Sequence, residues 1–371
     1  MKEKYKIFVI NPGSTSTKVA LFENEEKILE TSVSHDADIL LRYPTTNDQL
    51  PYRKKVILEF LRENHIDLSD VDAFVGRGGG CVTVPSGVFA INEKMVEDTI
   101  IGKSGSEHPS KLGIQLAWEL QKEFGGAAFT MDPTCMDELC DMARASGIKG
   151  LPRHVNLHAL NLKGIARLHA KNIGRDYKDC RLIVCHIDGG ISISAHRDGR
   201  IIDCNDSGTG DGPYSPTRIG SVSAGDLIDY CRGKDLDEVR KLCMGTGGFV
   251  SHFGTSDSDK VHAMIDAGNT HAQRVWDGMI YQINKYIGAM AAVLEGKVDA
   301  ILLTGRLLRF DDLVEKIRRG CEWIAPIILY PGEVEHEALA GGALRVLRGE
   351  EEAKTYTGIP VFTGWDDEKE V

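Results

Sequence analysis

The chain has 371 residues, of which 42% are hydrophobic and 27% charged, and 44 Lys plus Arg against 55 Asp plus Glu give a formal net charge of −11. That balance describes a soluble globular protein of about two domains and excludes a collagen-like repeat, a coiled-coil rod and a long disordered tail. An acidic chain is a poor partner for nucleic acid or an anionic membrane, although a local cluster of Arg and backbone N–H groups can still hold a small anion. Glycine is the outlier at 40 residues, above the usual ~7%, which suits tight turns and close backbone approaches. The N-terminus has no signal-peptide core, and no window approaches the ~18 apolar residues of a membrane span. The nine cysteines are scattered without a Cys-x-x-Cys pair, so a reducing cytoplasmic setting with free, inert thiols is expected.

In chain order, Tyr5 to Ile10 reads as a strand, Asn11 to Lys18 as a small-residue turn and Val19 to Phe22 as a second strand. Arg53 to Asn64 and Ser110 to Phe124 carry helical stripes, the latter opened by a Ser N-cap. Leu182 to Cys185, then His186-Ile187-Asp188-Gly189-Gly190, then Ile191 to Ala195 repeat the opening phrase at an offset of 175 residues, 186 less 11. Thr270 to Leu294 is a long helix with Val275, Met279, Ile283, Ile287, Met290 and Val293 facing the core. Val298-Asp-Ala-Ile-Leu-Leu echoes Val71-Asp-Ala-Phe-Val-Gly at an offset of 227, 298 less 71. Glu335 to Leu347 is the last helix. A duplicated α/β domain with an insertion between Asp206 and about Gly268 accounts for both offsets. The expected domains are 1–172 and 173–350, the last helix returning towards the first, with a tail over 351–371.

The polar turns carry the candidate chemistry. Gly13, Ser14, Ser16 and Lys18, with Asn11 before them, form either a plain polar hairpin loop or a cradle of N–H and hydroxyl groups for an anion. His186 beside Gly189 and Gly190 is either a structural histidine or a phosphate donor in the matching turn. Gly305, after Thr304, would let a flat base or ribose approach the backbone. Arg77 and Arg218 stand among small residues, placed either to grip a carboxylate or phosphate or to anchor their loops. Asp132, in Met131-Asp-Pro, ends a strand and precedes a helix, as a Mg²⁺-associated carboxylate or a helix cap.

Asn-x-Gly-Ser-x-Ser-x-Lys, Arg77-Gly-Gly, Asp132-Pro, Arg153-His-x-Asn-x-His158-Ala-Leu-Asn161, His186-Ile-Asp-Gly-Gly-Ile-Ser, Pro216-Thr-Arg-x-Gly and Tyr330-Pro-Gly-Glu run in the order found in the acetokinase family. The resemblance covers essentially the whole chain and is closest to the butyrate kinase branch. It implies an actin-like ATPase fold (ribonuclease H-like halves), with ATP and Mg²⁺ between the first, carboxylate-side domain and the second, nucleotide-side domain, in a cytoplasmic homo-oligomer, a dimer or higher. It also implies reversible phosphoryl transfer from ATP to a short-chain carboxylate, with Arg77, Asp132 and Arg218 catalytic. Asn11, Gly13, Ser14, Ser16, Lys18, His186, Gly189, Gly190 and Gly305 would hold the nucleotide. Asn11, Asp132 and Glu335 (or Glu337) would order the metal. Two departures stand out: no second His follows near Leu162, and the family's Thr-Gly-Gly is here Thr304-Gly305-Arg306, whose side chain either crowds the nucleotide or reaches over its base. A non-catalytic ATP-binding switch and a sugar or polyol kinase are the rival readings. Domain rotation is expected, hinged near 172–178 and before Glu335, with a small lid at 208–213 as its rival.

Overall fold

The computed structural model describes residues 2–103 and 108–365. The chain forms two compact units, Met1–Asp137 with Val334–Trp365, and Glu138–Glu333. The first unit is built on β1 (Lys6–Pro12), β2 (Ser16–Glu23), β3 (Glu26–Ser34), β4 (Ala73–Gly76), β5 (Val88–Ala90) and β6 (Ala127–Met131). The second is built on β7 (Leu182–Ile187), β8 (Ile191–Arg197), β9 (Arg200–Cys204), β10 (Ala300–Gly305) and β11 (Ile327–Pro331), while β12 (Lys354–Thr355) joins the first unit's sheet.

The sheet orders are β12-β5-β6-β4-β1-β2-β3 and β11-β10-β7-β8-β9. Each contains a three-stranded antiparallel meander whose first strand also pairs in parallel with a later one. The two echoes in the sequence are structural equivalents. Ile7 pairs with Ala73 in one sheet and Leu182 with Ala300 in the other, so both offsets hold in one register. Central parallel strands are covered on both faces and need unbroken apolar runs. Ile7 to Ile10 and Leu182 to Cys185 supply them, all at 0% exposure. The edge strand β3 is largely exposed and rich in Glu and Lys, which discourages edge-to-edge pairing.

Helix Thr270–Val293 buries Val275, Trp276, Met279, Ile283, Ile287 and Met290 in the second core. Trp276 packs on Phe249 and Phe310, and its indole N–H donates to Asp312 at 2.9 Å. The expected insertion is a run of short helices from Ala224 to Asp266. Ser110 stands at the N-cap of helix Lys111–Phe124, but its side chain makes no capping bond there and its Oγ lies 3.0 Å from His108 Nδ1. All nine cysteines are free thiols, and burial pushes Cys185 and Cys204 well above the usual thiol range.

The expected boundary at 172/173 falls inside the second unit; the chain crosses between units at 137/138 and 333/334. Helix Ala159–Asn172 belongs to the second unit because Leu162, Ile165 and Ala166 are buried there and His169 Nδ1 meets the Tyr330 hydroxyl at 3.0 Å. Of the expected tail, residues 366–371 lie outside the described residues.

Candidate active site

In the first unit, β1 and β4 run parallel, so their carboxyl ends open at one edge of the sheet, the usual ligand edge of such sheets. Asn11 ends β1, Arg77 follows β4, and Glu335 opens helix Glu335–Leu347, whose dipole favours a carboxylate in its first turn. Asn11 Nδ2 donates to Glu335 Oε2 at 2.7 Å, Arg77 Nη2 lies 3.2 Å from Glu335 Oε1, and Arg77 Nη1 lies 3.4 Å from Asn11 Oδ1. Glu335 is 4% exposed, whereas Glu337 is exposed and pairs with Lys27. The structure therefore groups Asn11, Arg77 and Glu335 and leaves Glu337 outside.

Asp132 follows the end of β6, the parallel neighbour of β4. It is buried, with φ +39°, unusual for a non-glycine residue. Its Oδ1 accepts from Ser86 Oγ at 2.6 Å and Gly87 N–H at 2.9 Å. No helix follows it directly; the next begins at Asp141, so the helix-cap reading falls away. In the β1–β2 turn, Gly13 N–H donates to Ser16 O at 2.8 Å. Ser14 and Lys18 are exposed, Ser16 is half-buried, and Lys18 lies opposite Asn11 in the hairpin.

The second unit presents a denser polar cluster. His186, 1% exposed near the end of β7, takes a hydrogen bond on Nδ1 from Asn161 Nδ2 at 2.9 Å. That bond leaves the ring proton on Nε2. Asn161 Nδ2 also lies 3.3 Å from Thr304 Oγ1, which donates to Gly332 O at 2.7 Å. The His158 ring stacks on His186 at 3.9 Å, and its Nδ1 meets Ser192 Oγ at 2.9 Å. Leu162 is a buried apolar residue.

In the β7–β8 turn, Asp188 holds the Arg306 guanidinium with bonds of 2.7 and 3.2 Å. Burial works to raise the Asp188 carboxyl, but the Arg306 hydrogen bonds and charge outweigh it and hold the group below the usual carboxylate range. Gly189 O accepts from Ser215 Oγ at 2.7 Å and Thr217 Oγ1 at 2.9 Å. Gly190 has a steric reason: a Cβ there would strike the Arg218 guanidinium, whose Nη1 donates to Ser207 O at 2.5 Å. Gly305 has φ +109°, and a Cβ there would run into Ile187 O, so the close approach of β10 to β7 requires a glycine independently of any base or ribose. Asp188, Gly189, Thr217, Gly305, Arg306 and Gly332 help line a pocket of about 760 Å³.

Two donor sets suit a cation differently. Asn11 and Glu335 offer oxygen, which fits a hard ion such as Mg²⁺. His186, Asp188 and Glu333 bring one nitrogen and two carboxylates within 4.8 Å of one another, but Arg306 is already on Asp188 and the Asn161 bond leaves the His186 Nε2 protonated, so this set suits a cation poorly. In the sequence, Asn161, His158, Thr304, Asp188 and Glu333 stand inside the motifs but carry no assigned role. A signal existed for the first two, since His158 and Asn161 sit three residues apart at the start of helix Ala159–Asn172, on neighbouring positions of one face.

Residues 145–309 match the acetokinase family. A protein of Clostridium botulinum (strain Alaska E43 / Type E3) named "Probable butyrate kinase" is 44% identical over 354 residues, 95% of this chain and 99% of that one. The crystal structure of Porphyromonas gingivalis acetate kinase superposes with a TM-score of 0.71 at 19% identity, covering 92% of this chain and 100% of that one. Entamoeba histolytica acetate kinase gives 0.72 at 16%, covering 91% and 98%. The fold is the two-domain, actin-like ATPase fold of these kinases.

Proposed function

The chain belongs to the acetokinase family, and from that premise we propose that it reversibly transfers the γ-phosphoryl group of ATP to the carboxylate of a short-chain fatty acid, butyrate or a close relative, forming the acyl phosphate. The observation that carries the reading is the 44% identity, over 95% of the chain, to a relative named for that reaction.

A carboxylic acid with a pKa of about 4–5 is ionised at neutral pH, so the acceptor needs no general base. The obstacle is bringing one anion against another. Arg77 and Arg218 are assigned to neutralise that repulsion and the charge of the in-line transition state. Ser14, Ser16, Lys18 and the Nε2–H of His186 hold phosphate oxygens in this reading. Asn161 supports the His186 role, because its amide leaves the ring proton on Nε2. Thr217 and Ser215 anchor Gly189 and so shape the second turn. Asn11 and Glu335, with Asp132, would hold Mg²⁺, which when bound shields phosphate charge. The reading includes a reducing cytoplasmic setting, supported by nine free thiols, and a homo-oligomer. No described helix is long and apolar enough to cross a membrane.

Hydroxylamine trapping tests the reading. ATP with butyrate is expected to yield butyryl hydroxamate, and glycerol or hexoses are expected to consume no ATP. Absence of hydroxamate, with ATP consumed on a polyol, overturns it.

A further inference from the structure

Helix Leu50–Glu63 brings Arg53 beneath the β1–β2 turn, 40 residues from Gly13 in the chain. Arg53 is 0% exposed. All five of its N–H donors have acceptors. Nε and Nη2 donate to Gln49 Oε1 at 3.1 and 3.0 Å, Nη1 donates to Gly13 O at 2.8 Å and Ser16 O at 3.4 Å, and Nη2 donates to Ser14 O at 2.7 Å. The remaining carbonyl of the turn, Thr15 O, accepts from His35 N–H at 2.8 Å. All four carbonyls of residues 13–16 are thus drawn to the protein side.

A trans peptide points its N–H opposite its C=O. Drawing in the carbonyls of Gly13, Ser14 and Thr15 therefore turns the N–H groups of Ser14, Thr15 and Ser16 the other way. The Ser14 and Thr15 N–H groups meet no acceptor among the described residues. A row of outward N–H groups is an anion-binding concavity. The charge behind it is costly in three ways. It is buried, no carboxylate among the described residues lies within ion-pair distance of it, and it stands in the first turn of a helix, where the dipole opposes a cation. Burial brings its pKa down to about 10, so it stays charged at neutral pH.

We propose that Arg53 is a positioning residue for anion binding. It fixes the turn so that the N–H groups of Ser14, Thr15 and Ser16, backed by its own charge, receive a phosphoryl group. The identity of that group, on the nucleotide or the acyl phosphate, rests on the kinase reading; the anion preference of the turn does not.

A fold staple would cost stability and leave the affinity of folded protein unchanged, so affinity separates the two roles. The full chain is made as Arg53→Lys, which keeps a charge but loses the planar fork, and as Gln49→Met, which keeps Arg53 but removes the acceptor of two of its donors. Calorimetric titration with ATP and, separately, inorganic phosphate is run without carboxylate, beside steady-state KM and kcat and a melting curve. Arg53→Lys is expected to weaken ATP binding about 10- to 30-fold, raising KM far more than it lowers kcat. Gln49→Met is expected to weaken it about 3-fold, with phosphate following in both variants. Folded variants that bind both ligands within about two-fold of the unsubstituted chain overturn the proposal. If Arg53→Lys does not fold, Gln49→Met decides alone. Failure of the kinase reading looks different: the unsubstituted chain makes no hydroxamate, while the variants still lose phosphate affinity.

Discussion

The β1–β2 turn and the β7–β8 turn occupy the same place in the same topology, yet their electrostatics are opposite. The first is backed by a buried cation, Arg53, with neutral acceptors around it. The second carries its own anion, Asp188, which Arg306 neutralises from just beyond the end of the neighbouring parallel strand β10. Its backbone is held by neutral hydroxyls on Gly189, and a second arginine, Arg218, lies against Gly190. Duplication therefore conserves the frame, down to the pairing of Ile7 with Ala73 and Leu182 with Ala300. The chemistry is left to the turn residues.

The largest effect that tests this contrast belongs to the second turn. Arg218→Ala is expected to lower turnover at least ~10³-fold, as for other arginines acting on a transferring phosphoryl group. Gly190→Ala reaches the same guanidinium without removing it, since the new methyl group would displace it. Gly13→Ala is expected to cost far less, because a Cβ there meets Ser16 O only at ordinary contact distance, 3.4 Å. Hydroxamate rates of the three folded variants check the order. Near-normal turnover in Arg218→Ala, or equal losses at the two glycines, breaks the comparison.

The frame was legible because parallel central strands must be apolar throughout, and two such runs with matching turns announce a duplication. Glu335 to Leu347 and Thr270 to Val293 were equally readable from their 3.6-residue stripes and end signals. The clusters were less so. Asn161, His186 and Thr304 meet across separations of 25 and 143 residues, and a single chain does not display such pairings. Arg53 looked like one more basic residue on a helix, since its burial comes from the turn folding over it. At Gly305 the sequence pointed to a ligand, and the crowding against Ile187, which also requires a glycine, was not visible in it. The crossing between units was placed at a polar, glycine-containing run, but packing fixed it at 137/138 instead.

Acid offers a second, smaller separation of the turns. His35 supports the first turn through its N–H to Thr15 O and a 2.8 Å contact of Nε2 with Thr17 Oγ1. Burial first, and then the nearby Arg53 charge, lower its pKa from 6.5 to about 4. Its Nδ1 has no partner among the described residues, so a protonated ring would bury a second unpaired cation beside Arg53. Between pH 6.5 and 4 the unfolded chain therefore binds this proton and the native chain does not. Stability from this group is complete above pH 6.5, falls as pH drops and is gone below 4, a loss of about 3 kcal/mol. Asp188, held below the usual carboxylate range, stays ionised through most of that window. Denaturant unfolding from pH 7 to 4 is expected to show the unsubstituted chain losing about 3 kcal/mol more than His35→Gln. Parallel curves would remove His35 from the account.

The smallest effect concerns the pair unique to the second turn. Arg306 lines the pocket beside Gly305, and its Nε and Nη2 donate to Asp188. Removing it exposes a carboxylate next to the turn assigned to a polyanion. Arg306→Gly is therefore expected to raise KM for ATP by about 3- to 10-fold with little change in kcat, through charge repulsion rather than lost contact. The partner substitution gives the decisive control. Asp188→Asn removes the charge that Arg306 offsets, so Arg306→Gly introduced into Asp188→Asn is expected to cost much less than it costs alone. A crowding side chain makes the opposite forecast. Arg306→Gly would then open the pocket and lower KM, and Asp188→Asn would not change that gain. The sign of the KM shift in the single variant, and its persistence in the double, therefore decide whether Arg306 restricts the pocket or keeps it fit for a phosphate chain.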